Sequence, residues 1–120
     1  MGRFDLRLEF RLKRGEIWTA ADDAQYTEKP RPVVIIQNAH FDVLDSITIC
    51  GFTKDPTDLP LFRVLIEASK LNGLQFSSRI MVDKILTIRK NRLGYRIGRL
   101  EHKDIVRLDR VIATFLGLAD

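Results

Sequence analysis

The chain carries one cysteine, Cys50, and two histidines, His40 and His102, in 120 residues. A single thiol excludes an internal disulfide, and the two histidines lack the spacing of a metal pair. No apolar run approaches the ~18 residues of a membrane span, and no signal-peptide core opens the chain. The expected location is therefore the cytoplasm, with no membrane partner. Phosphate-cradling and dinucleotide-binding glycine motifs are missing, as is a nucleophile elbow. Neither a cofactor nor a metal site is expected.

What is present describes one folded domain. Hydrophobic residues make up 45% and charged residues 30% of the sequence, enough to bury a core at this length. Twenty Lys and Arg against sixteen Asp and Glu give a net charge of +4. That permits a nucleic-acid partner without requiring one. Between Lys84 and Arg110 stand nine basic and three acidic residues. A solvated face and an RNA or DNA surface both account for such a run.

Hydrophobic periodicity gives the elements. Phe4, Leu6, Leu8, Phe10 and Leu12 alternate with Arg3, Asp5, Arg7, Glu9 and Arg11, the period of a half-buried strand. Residues 1–12 read as an N-terminal extension, with a second unit from 13 to 120. Residues 13–20 form a turn into a short strand, and 21–28 a loop with three acids. Strands are expected over 46–53, 61–67, 80–85 and 92–100, and an Asp- and Pro-rich loop over 54–60. Ile105, Leu108, Ile112, Phe115 and Leu116 then fall at helical spacing, with Gly117 as a stop. Five or six short strands and one terminal helix predict a mainly β, partly open small barrel.

One stretch joins a stiff cationic turn to the most apolar run. Pro30 and Pro32 fix their own φ angles and bias Lys29 and Arg31 toward extended backbone. Val33, Val34, Ile35 and Ile36 follow without interruption, as in a strand buried on both faces. Arg31 is thus presented at the mouth of a strand, where a guanidinium can hold a phosphate. A solvated arginine in a Pro-rich turn is the competing reading.

The order of motifs is specific. Leu12-Lys13-Arg14-Gly15-Glu16-Ile17-Trp18 comes first, and Pro30-Arg31-Pro32 with its apolar run follows. A strand ending at Thr53 and the segment from Met81 to Ile88 complete the pattern. Together these resemble the MazF/PemK toxin family from about Lys13 onward. The resemblance implies an SH3-like small barrel that forms a homodimer and is neutralised by a cognate antitoxin. It implies an endoribonuclease that cuts single-stranded RNA at short sequences without a metal. The ribose 2′-hydroxyl attacks its own phosphate, leaving a 2′,3′-cyclic phosphate and a 5′-hydroxyl.

By that resemblance Arg31 and Thr53 are the catalytic pair, a guanidinium and a hydroxyl aimed at the phosphoryl oxygens where charge builds. A guanidinium is too weak an acid to hand over a proton readily, so its role is electrostatic. Asp83 matches an acidic position beside the substrate groove, where it would accept from a base or orient Arg31; a structural ion pair is equally open. Lys54 would contact phosphate, and Phe62 and Arg79 would stack on or pair with bases. A buried Phe62 and a solvated Arg79 are the simpler alternatives.

The sequence departs from the family in two places. The loop before Arg31 lacks the glycine pattern and the histidine found in many members, and residue 81 is Met where some carry Arg. Both differences bear on substrate choice. Two other functions use the same small barrel: gyrase poisoning through protein binding, and nucleic-acid binding without catalysis.

Overall fold

A central strand buried on both sides organises the sheet. The computed structural model describes residues 11–21 and 30–120. The expected N-terminal strand and the acidic loop fall on residues 1–10 and 22–29, outside the described residues, and Arg11 and Leu12 lie outside any strand. Among the described residues the strands are β1 (Glu16–Ala20), β2 (Arg31–Ile35), β3 (Ser46–Thr53), β4 (Arg63–Ile66), β5 (Ser78–Arg89) and β6 (Leu93–Arg99). One helix, α1 (His102–Phe115), follows. They form one antiparallel sheet in the order β4-β5-β3-β2-β1-β6.

β2 lies inside this order and contributes to both cores. Val34 joins Ile17, Cys50, Val64, Ile66, Ile80, Val82, Leu100 and Leu108 on one face. Val33 and Ile35 join Ile47 and Ile49 on the other, against Leu12, Trp18, Ala20, Ile88 and Leu93. The uninterrupted β-branched run is what such a strand needs, because neither face meets water.

The turn before β1 is a structural knot. Gly15 has φ +92°, a conformation that side chains resist. Its amide donates to the Ile35 carbonyl at 2.7 Å, and its carbonyl accepts the Leu100 amide at 2.8 Å. The buried Glu16 carboxylate accepts from the Trp18 indole at 3.0 Å and from the Lys13 amide at 3.2 Å. Arg14 donates to the Ile36 carbonyl at 2.9 Å and pairs with Asp109 of α1 at 2.5 Å. The Arg-Gly-Glu-Ile-Trp sequence thus ties β1, β2, β6 and the helix together.

β5 is longer than the sequence suggested, because it serves two partners. Its C-terminal half pairs with β3 from Ser46↔Arg89 to Cys50↔Ile85; its start pairs with β3 at Phe52↔Ile80 and Thr53↔Arg79. Four residues of β5 therefore pass while β3 advances past Gly51 alone. A bulge of this kind bends the strand, and the bent start is the part that also pairs with β4.

Ile105, Leu108, Val111 and Ile112 of α1 pack on the first core. Gly117, at φ +76°, ends the helix as expected. Leu108 is 1% exposed and Phe115 47%. Leu108→Ala is expected to destabilise the protein by about 2–5 kcal/mol, whereas Phe115→Ala in the isolated chain stays within about 0.5 kcal/mol. Urea unfolding of the two variants checks this.

Candidate active site

The register of the sheet gathers residues that lie far apart in sequence. β2 pairs with β3 through Val33↔Gly51, Val34↔Cys50 and Ile35↔Ile49. Continued two residues outward, the same register sets Arg31 opposite Thr53. Thr53 in turn pairs with Arg79, and Arg79 with Leu65 of β4. Residues directly opposite in a sheet share a face, so Thr53 and Arg79 stand side by side, and the extended β2 register points Arg31 to the same edge. Alternation carries Gly51, Met81, Arg63 and Asp83 to the same face one step in. A Cβ on Gly51 would stand 3.2 Å from the Met81 terminal methyl. The missing side chain keeps the floor of this surface low.

Thr53 ends β3 and starts a turn. Its hydroxyl oxygen accepts the Asp55 amide at 3.1 Å, which leaves the O–H proton to donate elsewhere. The Asp55 carboxylate accepts from the Thr57 hydroxyl at 2.7 Å and amide at 2.9 Å. These bonds hold its carboxyl below the usual carboxylate value, the hydroxyl contributing most. Arg79 leans to this turn, donating to the Asp55 carbonyl at 3.5 Å. Lys54 is exposed and carries its ammonium 4.9 Å from the Phe76 ring centroid.

Asp83 has a partner the sequence did not indicate. Arg63 donates to both its oxygens, Nε to Oδ1 at 2.8 Å and Nη2 to Oδ2 at 3.1 Å. This two-pronged pair holds the Asp83 carboxyl below the ordinary value, through the hydrogen bonds first. Residue 81 is Met, and the guanidinium that meets Asp83 comes from Arg63, the residue directly across from Met81. The partner is twenty positions from Asp83, so only the β4–β5 register reveals it. Phe62 is half-buried, and the Arg63 guanidinium lies 5.7 Å from its ring centroid.

Cys50 is no nucleophile. It is fully buried, and burial pushes its thiol up to about 12. Several of the basic residues after 84 are engaged in the fold. Lys90 pairs with Asp42, Arg107 with Asp104 and the Leu65 carbonyl, and Arg96 lies 3.9 Å from Glu16. Among the described residues no group of three His, Cys, Asp or Glu side chains could hold a metal, and no helix is long and apolar enough to cross a membrane.

Residues 13–116 match the family model for the PemK-like, MazF-like toxin of type II toxin-antitoxin systems. The chain belongs to this family. It is 46% identical over 108 residues to the probable endoribonuclease MazF of Mycolicibacterium smegmatis, covering 90% of this chain and 99% of that one. The solved Mycobacterium tuberculosis toxin MazF-mt6 is 27% identical with a TM-score of 0.74, covering 88% and 99% of the two chains. An endoribonuclease from a mycobacterial species, solved with its cognate antitoxin, is 20% identical and shares the fold at a TM-score of 0.73, covering 91% and 98%.

Within the family frame the Arg63–Asp83 pair gives a pH test. Because the folded Asp83 carboxyl titrates below its unfolded value, the pair's stabilisation is complete above the unfolded value near 4 and fades as pH falls through the folded one. The difference in Tm between the wild type and Asp83→Asn should be constant from pH 5 to 8 and shrink below about pH 4. Thermal melts across that range measure it.

Proposed function

We propose that this MazF-like toxin is a metal-independent endoribonuclease that cleaves single-stranded RNA at a short sequence. A ribose 2′-oxygen attacks the adjacent phosphorus. The O2′–P bond forms and the P–O5′ bond breaks. One proton leaves the 2′-hydroxyl and another reaches the departing O5′. The products are a 2′,3′-cyclic phosphate and a 5′-hydroxyl.

The observation that carries this reading is the β2–β3 register, which aligns the Arg31 and Thr53 ends of the two strands. Negative charge grows on the two non-bridging oxygens in the transition state. A guanidinium carried on extended backbone and a hydroxyl with a spare proton are the donor types suited to it. Arg79, directly across from Thr53, would pair with a base, and Lys54, the residue after Thr53, would hold a neighbouring phosphate. Asp83, fixed by Arg63, presents a charged acceptor edge for a base donor.

Cytoplasmic RNA is the substrate class, and a cognate antitoxin and a second copy of the chain are the protein partners. The shared fold of the antitoxin-bound relative supports the antitoxin. A disordered acidic segment that folds on binding would cover a cationic surface of this kind.

In the presence of EDTA, the protein should cut a long single-stranded RNA at one short motif and leave 5′-hydroxyl ends. Arg31→Ala and Thr53→Ala should each lower the cleavage rate by about a hundredfold or more. End-mapping and single-turnover rates check both statements. Intact RNA across varied substrates would sink the ribonuclease reading and turn attention to protein targets, gyrase first. Phosphate contacts also predict that RNA affinity falls between 50 and 200 mM salt, along a straight line of log affinity against log salt. Fluorescence anisotropy with a labelled oligonucleotide measures the slope; a flat response would count against the site.

A further inference from the structure

Phe76 is a large apolar ring left 58% exposed, yet its backbone is tied down on both sides. Leu74 is buried before it, with its amide bonded to the buried Asn72 side chain at 3.0 Å. After it, Ser78 at the start of β5 donates to the Phe76 carbonyl at 3.0 Å. Between these anchors the ring projects from a fixed turn without joining either core. A fixed, water-facing aromatic face is suited to stacking, since little ordering remains to be done on binding.

Its position relative to Thr53 narrows the ligand. Phe76 lies three residues before Arg79, which pairs with Thr53. The residue after Thr53 is Lys54, whose ammonium stands 4.9 Å from the Phe76 ring centroid. The ring is thus clasped to the end of β3 that carries the hydroxyl. A second exposed apolar loop, with Phe41, Val43 and Leu44, follows β2 and lies at the opposite end of that strand from Arg31. An aromatic face with a cation beside it matches a nucleotide, which offers a flat base and a phosphate one sugar apart.

We propose that Phe76 and Lys54 form the subsite for a nucleotide flanking the scissile phosphate. The base stacks on the exposed surface of the Phe76 ring, and the Lys54 ammonium pairs with the adjoining backbone phosphate. This rests on the ribonuclease reading above and adds a platform that hydrophobic patterning did not single out. Stacking is tolerant of base identity, so the subsite contributes affinity and register more than sequence choice.

The test uses the full-length protein and an RNA that the wild type cleaves. A short oligonucleotide from a mapped cleavage site, 2′-O-methylated at the attacking ribose, reports binding without turnover. Phe76→Ala and Phe76→Leu should each weaken its binding about tenfold, within the span given by stacking one base. Phe76→Trp should restore it. Leucine keeps apolar bulk without a flat ring, so equal loss in both variants separates stacking from packing; an unchanged Tm confirms the fold.

Abasic substitution at each flanking position in turn should weaken wild-type binding by a similar factor at one position and have no further effect there in Phe76→Ala. If wild-type protein cuts RNA while both Phe76 variants bind and cut normally, the subsite is wrong and the ribonuclease reading stands. That outcome would leave the ring to a protein partner such as the antitoxin. If no RNA is cut by the wild type, both fall together.

Discussion

The double-sided burial of β2 is the constraint on which the rest depends. Val34 packs into one core and Val33 and Ile35 into the other, all three at 7% exposure or less. A strand with no wet face cannot slip by one residue, because a slip would exchange the contents of the two cores. Its register on β3 is therefore held firmly, and so is the alignment of the Arg31 and Thr53 ends. The alignment of these strand ends, on which the proposed site rests, comes from hydrophobic packing. The turn at Gly15 reinforces the arrangement by bonding to the Ile35 carbonyl at the other end of β2.

Charge is divided between structure and function along the same lines. Arg14, Arg63, Arg96 and Arg107 each have an acidic neighbour in the fold. Arg63 makes the only two-pronged pair among these, and its two bonds fix the Asp83 carboxylate in one orientation. The net charge of +4 therefore understates how locally the positive groups are placed. Local placement, more than total charge, decides where an RNA backbone is held. Lys54 shows the same principle on a smaller scale: directly after Thr53 in sequence, it is drawn to the Phe76 ring.

Much of this was legible from residue order. Short-range rules located the six described strands and the helix, because apolar period, β-branching and Pro and Gly punctuation act within a few residues. The 46–53 strand and the buried character of Cys50 were read directly. The motif order from Arg14-Gly15-Glu16 through Pro30-Arg31-Pro32 carried the family, which the match over residues 13–116 bears out. Strand β5 was read too short, since the residues past Ile85 are mostly exposed and lose the apolar pattern while still pairing with β3.

The sequence by itself determined the elements, the family and the chemical types at Arg31 and Thr53, because these depend on local propensity and on motif spacing. Tertiary structure alone decided the neighbours of each side chain. Arg63 against Asp83, Gly51 above Met81 and Lys54 over Phe76 all depend on strand register and on the bulge in β5. Those contacts join residues some twenty or more positions apart. Register is set by the simultaneous packing of both cores, a property of the whole sheet that no short window of sequence contains.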